Sequence, residues 1–260
     1  MARNGHEWYK RAMTASLSEG EATSRDMSVA RLRALGYARL SPATLATVAD
    51  ADLASLDALR QTWNALPPDA YLRDGGHYRS RRHSCFIQSL APAELAPVAQ
   101  RPHWQPTTYN ALHGGIERWF EPIEPRVRSA AAWRQVLQSL GSLFAQLAAV
   151  DRWYIEAHQF RIDAANGIGR PTPEGAHRDG VDFVAVILVG RSNVRGGETH
   201  VFDANGPTGT RFTMQQPWTA LLMDDARVIH ETTPIQPQGS PAHRDTLVLT
   251  YRAGGFQARG

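Results

Sequence analysis

The sequence predicts an α+β protein in which helices from the N-terminal half pack on one sheet of a β sandwich or barrel. Three observations carry this. Apolar residues recur at helical spacing before about residue 150; short β-type runs separated by Gly, Pro and Asn turns follow it; and no internal repeat or long break divides the chain. With 260 residues, 42% hydrophobic and 20% charged, the chain is long enough to bury a sizeable core.

A polar tail is expected over residues 1–24, followed by a single domain over 25–260, helical over 25–150 and β over 151–252. Val29, Leu32 and Leu35 give a helical stripe that stops at Gly36. Ser41-Pro42 is an N-cap and first-turn pair. The Ala- and Leu-rich stretch from Asp50 to about Leu66 reads as a helix ended by Pro67-Pro68. Residues 70–125 read as loop-rich, with turns at Gly75-Gly76 and Gly114-Gly115. Pro125 opens a helix to about Ala149, striped by Val127, Ala131, Leu137, Leu140, Phe144 and Leu147. Strands are then expected at Trp153–Ile162, Asp182–Val189, Glu198–Asp203, Arg211–Gln215, Trp218–Met223 and Thr246–Tyr251.

Composition excludes several classes. The longest apolar run, Val181 to Val189, is interrupted by Asp182 and falls short of the roughly 18 residues of a membrane helix. The start MARNGHEWYKRAMT has no apolar core, so a cytoplasmic protein without membrane partners is expected. Cys85 is the only cysteine, which rules out an intramolecular disulfide and Cys-rich metal sites; it reads as a small buried hydrophobe. Lys10 is the only lysine and the formal charge is only +3. The basic run Arg79-Ser80-Arg81-Arg82-His83 suits a small anion better than nucleic acid, since it lacks a platform of interleaved aromatics. There is neither a Gly-x-Ser-x-Gly elbow nor a Walker lysine.

The chemistry concentrates in PEGAHRDG, residues 173–180. In an extended segment His177 and Asp179 face the same side and can share a metal. His230, in DDARVIHET, is the best third ligand. Two His and one carboxylate on one face is the arrangement of non-haem Fe(II) oxygenases: it leaves positions for a chelating 2-oxo acid and for O2. Alone, the His-x-Asp pair more often describes two loop residues in a local hydrogen bond. Arg244 adds context. It enters a strand fourteen residues beyond His230, with Thr246 two positions on, and a guanidinium binds a carboxylate bidentately. The competing reading is a surface pair with Asp245. Arg195-Gly196-Gly197-Glu198-Thr199 reads as a turn into a strand.

The stretches EAHQFRI, PEGAHRDGVDFVAVILVGRSNVRGGETHVFD, LLMDDARVIHETTPI and HRDTLVLTYR, with DGGHYRSRRH and YNALHGGIERWFEPI before them, resemble the bacterial 2-oxoglutarate/Fe(II) dioxygenases that hydroxylate free L-amino acids, of the L-isoleucine 4-hydroxylase (isoleucine dioxygenase) type. The likeness spans about residues 36–252. It implies a double-stranded β-helix (jelly-roll, cupin-like) core. It implies Fe(II) on His177, Asp179 and His230, 2-oxoglutarate held by Arg244 with Thr246, and O2, with succinate and CO2 released and ascorbate as an aid. Related halogenases carry Gly or Ala at the position of Asp179, so the aspartate argues for hydroxylation, or another oxidation, over chlorination. A cupin-type isomerase or sensor would more often show a His-x-His.

A free amino acid presents a carboxylate and an ammonium. Arg118 or Arg79 can take the first, Asp182 or Asn110 the second, with Tyr109 close in sequence. Alternation separates Glu156 and His158 from Gln159 and Arg161, and one of these pairs is expected to face the barrel interior. His83 and His103 read as solvated or structural.

Overall fold

The computed structural model describes residues 21–110 and 112–259. Its helices are α1 (Arg25–Leu35), α2 (Pro42–Ala49), α3 (Leu53–Asp57), α4 (Pro125–Arg128) and α5 (Ala131–Phe144), with a 3-10 helix at Arg60–Ala65. Its strands are β1 (Tyr37–Leu40), β2 (Arg79–Leu90), β3 (Ala93–Pro97), β4 (Arg152–Asp163), β5 (Phe183–Ser192), β6 (Val194–Gly196), β7 (Thr199–Asp203), β8 (Gly209–Phe212), β9 (Ala220–Asp224), β10 (Val228–Thr232), β11 (Ile235–Pro237) and β12 (His243–Arg252). A seven-stranded antiparallel sheet runs in the order β1-β9-β5-β12-β4-β2-β3, facing a three-stranded sheet β10-β7-β8 and the pair β11-β6. This is the jelly-roll arrangement.

Strand β5 shows why the layers form. Its residues are apolar almost throughout because both faces are covered. Phe183, Ala185, Ile187 and Val189 join the main core with Leu137, Leu140 and Phe144 of α5. Val184 and Leu188 point the other way, into a smaller core with Val201 of β7 and Val228 of β10. Strand β12 divides likewise: Leu247, Leu249 and Tyr251 pack on the helices, while Thr246 and Val248 face the space between the sheets. The helices are fixed at their ends as expected. Ser41 Oγ accepts from Thr44 N at the start of α2, and Gly36 closes α1 at φ 80°.

Several expectations change. Residues 1–20 of the expected tail lie outside the described residues. Ala22 donates to the Arg39 carbonyl at 2.7 Å and Ser24 caps α1, so the segment from residue 21 belongs to the fold. The stretch 25–150 is not all helical: β1, β2 and β3 lie within it, and β2 is twelve residues long and pairs along β4. The helix expected from Asp50 breaks into α3 and the 3-10 turn, and the one from Pro125 breaks at Ser129-Ala130 and ends at Phe144. Ala131 is exposed, whereas Val127, Leu137, Leu140 and Phe144 are fully buried. Among the described residues no helix is long and apolar enough to cross a membrane.

Candidate metal centre and substrate cavity

His177 and His230 are distant in sequence but adjacent in space. Each donates its backbone N–H to the other's carbonyl at 3.0 Å, so the loop before β5 joins the edge of β10 at this point. Their ring centroids lie 4.6 Å apart. Asp179 turns to the same side, its Oδ1 3.8 Å from His177 Nε2 and its Oδ2 3.8 Å from His230 Nε2. All three sets of ligand atoms fall within 4.8 Å of one another.

The donor set fits a divalent cation. His177 Nδ1 lies 2.9 Å from the Gly175 carbonyl, which can only accept, so in the neutral ring the Nε2 lone pair faces Asp179. Burial disfavours charge on His177, but Asp179 and Glu174 outweigh it and raise its pKa. Two carboxylates beside two imidazoles thus make a pocket whose charge suits a cation. Burial and the neighbouring His177 keep the His230 pKa far down, so its imidazole is neutral, as a ligand must be.

A cavity of about 1060 Å³, counted out to its open mouth, extends from the triad. Alternation places Arg244, Thr246, Val248 and Thr250 of β12 on its wall, with Glu156, His158 and Phe160 of β4. Arg244 is 3% exposed, and its Nε and NH2 have no hydrogen-bond partner. Burial, with Arg191 nearby, lowers its pKa to about 10, so it stays a cation at neutral pH. An orphaned buried guanidinium on the cavity wall that also carries the triad fits the carboxylate of a 2-oxo diacid, with the Thr246 hydroxyl on the same wall. The alternative pairing with Asp245 does not occur: Asp245 faces away and holds Arg161, with N···O distances of 2.8 and 2.6 Å.

Of the residues proposed for substrate, His158, Asn110, Arg118 and Arg79 line the cavity; Arg161, Tyr109 and Asp182 do not. Arg161 sits on the helix-facing side of β4, so the inward pair there is Glu156 and His158. The Tyr109 ring packs against the backbone of Gly180. Asp182 Oδ2 accepts from Ala253 N at 2.8 Å.

Around Glu156 on the cavity wall gather two histidines for which the sequence suggests no functional role. His83 and His103 are buried, not solvated, and with His158 they surround Glu156 Oε2: His103 Nδ1 lies at 2.5 Å, His83 Nε2 at 3.2 Å and His158 Nε2 at 3.6 Å. Burial would raise the Glu156 carboxyl, but the three imidazoles hold it far below the carboxylate range. Arg81 NH2 is 2.6 Å from His158 Nδ1. A guanidinium only donates, so neutral His158 carries its proton on Nε2, towards Glu156. That ring turns an N–H towards the carboxylate, 3.6 Å away, rather than a lone pair towards a metal. Arg79 Nε is bonded to buried Asp69 at 2.7 Å, with Arg81 NH1 3.8 Å from the same oxygen. The basic run thus points two arginines inward onto one carboxylate. Gln105, Glu174 and Asp225 were also missed, although Glu174 and Asp225 sit inside the motifs that drew attention to the triad.

A His-Asp-His centre between the sheets of a jelly roll, with a buried unpaired arginine on the same cavity, defines a mononuclear non-haem iron oxygenase that uses a 2-oxo acid. Residues 60–250 match the 2OG-Fe dioxygenase family, and the chain belongs to that family. It is therefore an Fe(II)- and 2-oxoglutarate-dependent dioxygenase, with O2 as the second substrate. The crystal structure of a bsmA homolog from Methylobium petroleophilum PM1 is 57% identical, with TM-score 0.88, over 95% of this chain and 98% of that one. IDO from Bacillus thuringiensis shares the fold at 18% identity and TM-score 0.73, over 91% of this chain and 98% of that one. The Fe(II)/(alpha)ketoglutarate-dependent dioxygenase TqaL does so at 19% identity and TM-score 0.63, over 88% and 89%. A search of curated proteins finds no match.

Proposed function

We propose that this dioxygenase hydroxylates an unactivated aliphatic C–H of a free L-amino acid or cyclic imino acid in the cytoplasm, the substrate class of the isoleucine hydroxylases its sequence resembles. Arg118 carries the reading. It is 2% exposed and lines the cavity; among the described residues its side chain bonds only the neutral Gln105 Oε1, at 2.9 Å, and leaves Nε unpartnered. Burial, with Arg79 nearby, lowers its pKa to about 10, so it too stays a cation. Leaving a guanidinium buried without an anion costs on the order of several kcal/mol. A substrate carboxylate offsets that cost, so the cavity favours free acids over amides or esters.

His177, Asp179 and His230 would hold Fe(II), and Arg244 with Thr246 would hold the distal carboxylate of 2-oxoglutarate. Together these supply the reduction of O2 that leaves succinate and CO2 and places one oxygen atom on the substrate. The protein's own part is positioning. Arg118 pins one end of the substrate, and the apolar Val248 and Phe160 side chains on the wall exclude water around the carbon to be oxidised. Asp179 fills the third protein position, in keeping with hydroxylation.

The test is a mass-spectrometric screen of the proteinogenic amino acids, pipecolate, citrulline and ornithine with Fe(II), ascorbate and 2-oxoglutarate. A product heavier by one oxygen atom is expected from at least one free acid, with its amide losing most of kcat/KM. Equal turnover of amides, peptides or carrier thioesters would overturn the free-acid reading and leave the family assignment standing.

A further inference from the structure

We infer that Glu174 is the receptor for the substrate's α-ammonium, so that Glu174 and Arg118 form a two-point clamp selecting zwitterions over simple carboxylic acids. This rests on the free-amino-acid reading above and goes beyond it by naming the second charged contact. Asp182 does not serve, since it lies off the cavity and accepts from Ala253 N at 2.8 Å.

The carboxylates of the cavity wall are Glu156, Glu174 and Asp179. Glu156 is enclosed by His83, His103 and His158. Asp179 belongs to the metal centre. Glu174 remains: its side chain is 12% exposed, Oε1 lies 3.5 Å from His177 Nε2, and Oε2 is buried without a partner. The arginines sort the same way. Arg79 and Arg81 share Asp69, Arg244 faces the co-substrate site, and Arg252 donates to the Gly255 carbonyl at 3.1 Å. Among the described arginines of the wall, Arg118 and Arg252 have neither a carboxylate partner nor an assigned anion, and of these two only Arg118 is buried. A carboxylate with one unpartnered oxygen and, apart from Arg244, a buried guanidinium without an anion thus line a single cavity beside the triad. They match the opposite charges of an α-amino acid, whose ammonium supplies three donors to an acceptor-only group. The terminal torsion of a Glu side chain is broad, so Oε2 can turn to the ligand at little cost. A carboxylate at this place would repel an incoming free acid that brought no ammonium, which adds discrimination.

The experiment is anaerobic calorimetry on the protein loaded with Fe(II) and 2-oxoglutarate. The probes are L-isoleucine, L-leucine and L-proline, each beside its counterpart without the amino nitrogen: 3-methylpentanoic, 4-methylpentanoic and cyclopentanecarboxylic acid. Any amino acid turned over in the screen is added with its own counterpart. Wild type should bind at least one amino acid about 100-fold more tightly than its counterpart, in the range for losing contacts to a charged group. Glu174→Gln should reduce that preference at least 10-fold, chiefly by weakening the amino acid. Glu174→Asp, with the charge kept but set back, should fall between them. Iron content should stay at the wild-type value in both variants. If wild type binds no free amino acid from the panel or the screen, the free-amino-acid reading fails and this inference with it. If wild type prefers the amino form and Glu174→Gln keeps that preference, the Glu174 assignment alone is overturned. Loss of iron from Glu174→Gln would also overturn it, by making Glu174 part of the metal site.

Discussion

Asp225 clasps the backbone of Asp179. Its Oδ1 accepts the Asp179 N–H at 2.9 Å, and its Oδ2 accepts from Gly180 N at 2.8 Å and Val181 N at 3.1 Å. The carboxylate is buried, and burial together with the Asp179 charge pushes its pKa up to about 6. It spans from the turn after β9 to the metal loop and so ties Asp179 to the frame that carries His230.

Asp225→Asn follows as the sharpest test of that frame. An amide turns an N–H towards at least one of the three backbone donors, so the loop must shift. Fe(II) affinity should fall about 10- to 100-fold, the usual effect of removing a group that orients a ligand. Competition with a colorimetric chelator measures it. Wild-type affinity in the variant would mean that Asp179 is positioned by something else.

Replacing His177, Asp179 or His230 by Ala should abolish 2-oxoglutarate consumption, because three protein donors leave none to spare. Iron stoichiometry after gel filtration gives a reading independent of turnover. A variant that keeps one iron per chain and full activity would remove its residue from the triad.

Gly180→Ala probes the same loop from the other side. Gly180 sits at φ 75°, and a Cβ there would lie 2.4 Å from the Tyr109 ring and 2.9 Å from Gln257 Nε2. The left-handed backbone alone costs a non-glycine residue roughly 1–2 kcal/mol, and the ring must move as well. A Tm drop of several degrees is expected by thermal scan; a variant melting with wild type would show that Tyr109 yields freely.

The clustering of His177 with Asp179 and the place of Arg244 on the cavity wall were legible because their signals are local. His177 and Asp179 are two apart in an extended segment, and Arg244 opens a strand whose alternation carries Thr246 to the same wall. What was not legible depends on pairing between distant strands. Alternation in β4 separated Glu156 and His158 from Gln159 and Arg161, but only the helices packed on one face decide which pair points inward. Strand β2 escaped for a related reason. Its inward residues include Arg79, Arg81 and His83 and its outward ones Ser80 and Arg82, so it shows no apolar-polar alternation and reads as loop. Those charges are buried because Asp69 and Glu156 meet them from elsewhere in the chain.

Arg244→Leu should separate function from stability. On the proposed binding of 2-oxoglutarate to Arg244, removing the guanidinium should raise the KM for 2-oxoglutarate about 10- to 100-fold. Arg244→Lys should recover little of this, since an ammonium cannot reproduce the bidentate fork. The same Leu variant should melt no lower than wild type without co-substrate, because a buried unpaired charge is replaced by an apolar group. A large loss of Tm in Arg244→Leu would mean that the guanidinium is satisfied within the protein.

The last prediction concerns acid. Burial lowers the His103 pKa from an ordinary 6.5 to about 4 despite Glu156 beside it, and His158 is pushed down further, by burial first, with His83, Arg81 and His103 adding to it. Unfolded, each ring takes a proton near pH 6.5, while folded His103 does not until about 4. Their contribution to stability is therefore intact above 6.5 and is lost progressively as pH falls towards 4. Glu156 acts in the same direction but lower. Its folded pKa lies far below the ordinary 4.5, so its contribution is present above 4.5 and is lost only as pH falls through the folded value. Between 6.5 and 4.5 the histidines alone set this part of the slope. His177 and His200, whose pKa values are raised, oppose it, their contribution being greatest at low pH. Comparing variants cancels those terms. His103→Asn keeps a donor towards Glu156 but does not titrate. In urea unfolding of chelator-treated protein from pH 7.5 to 5, the stability of wild type relative to this variant should therefore fall on acidification. The difference should approach the slope of one proton, about 1.4 kcal/mol per pH unit, below pH 6. Parallel pH profiles for the two proteins would show that His103 titrates no differently in the fold than in the unfolded chain, and that its burial against Glu156 is not what the geometry indicates.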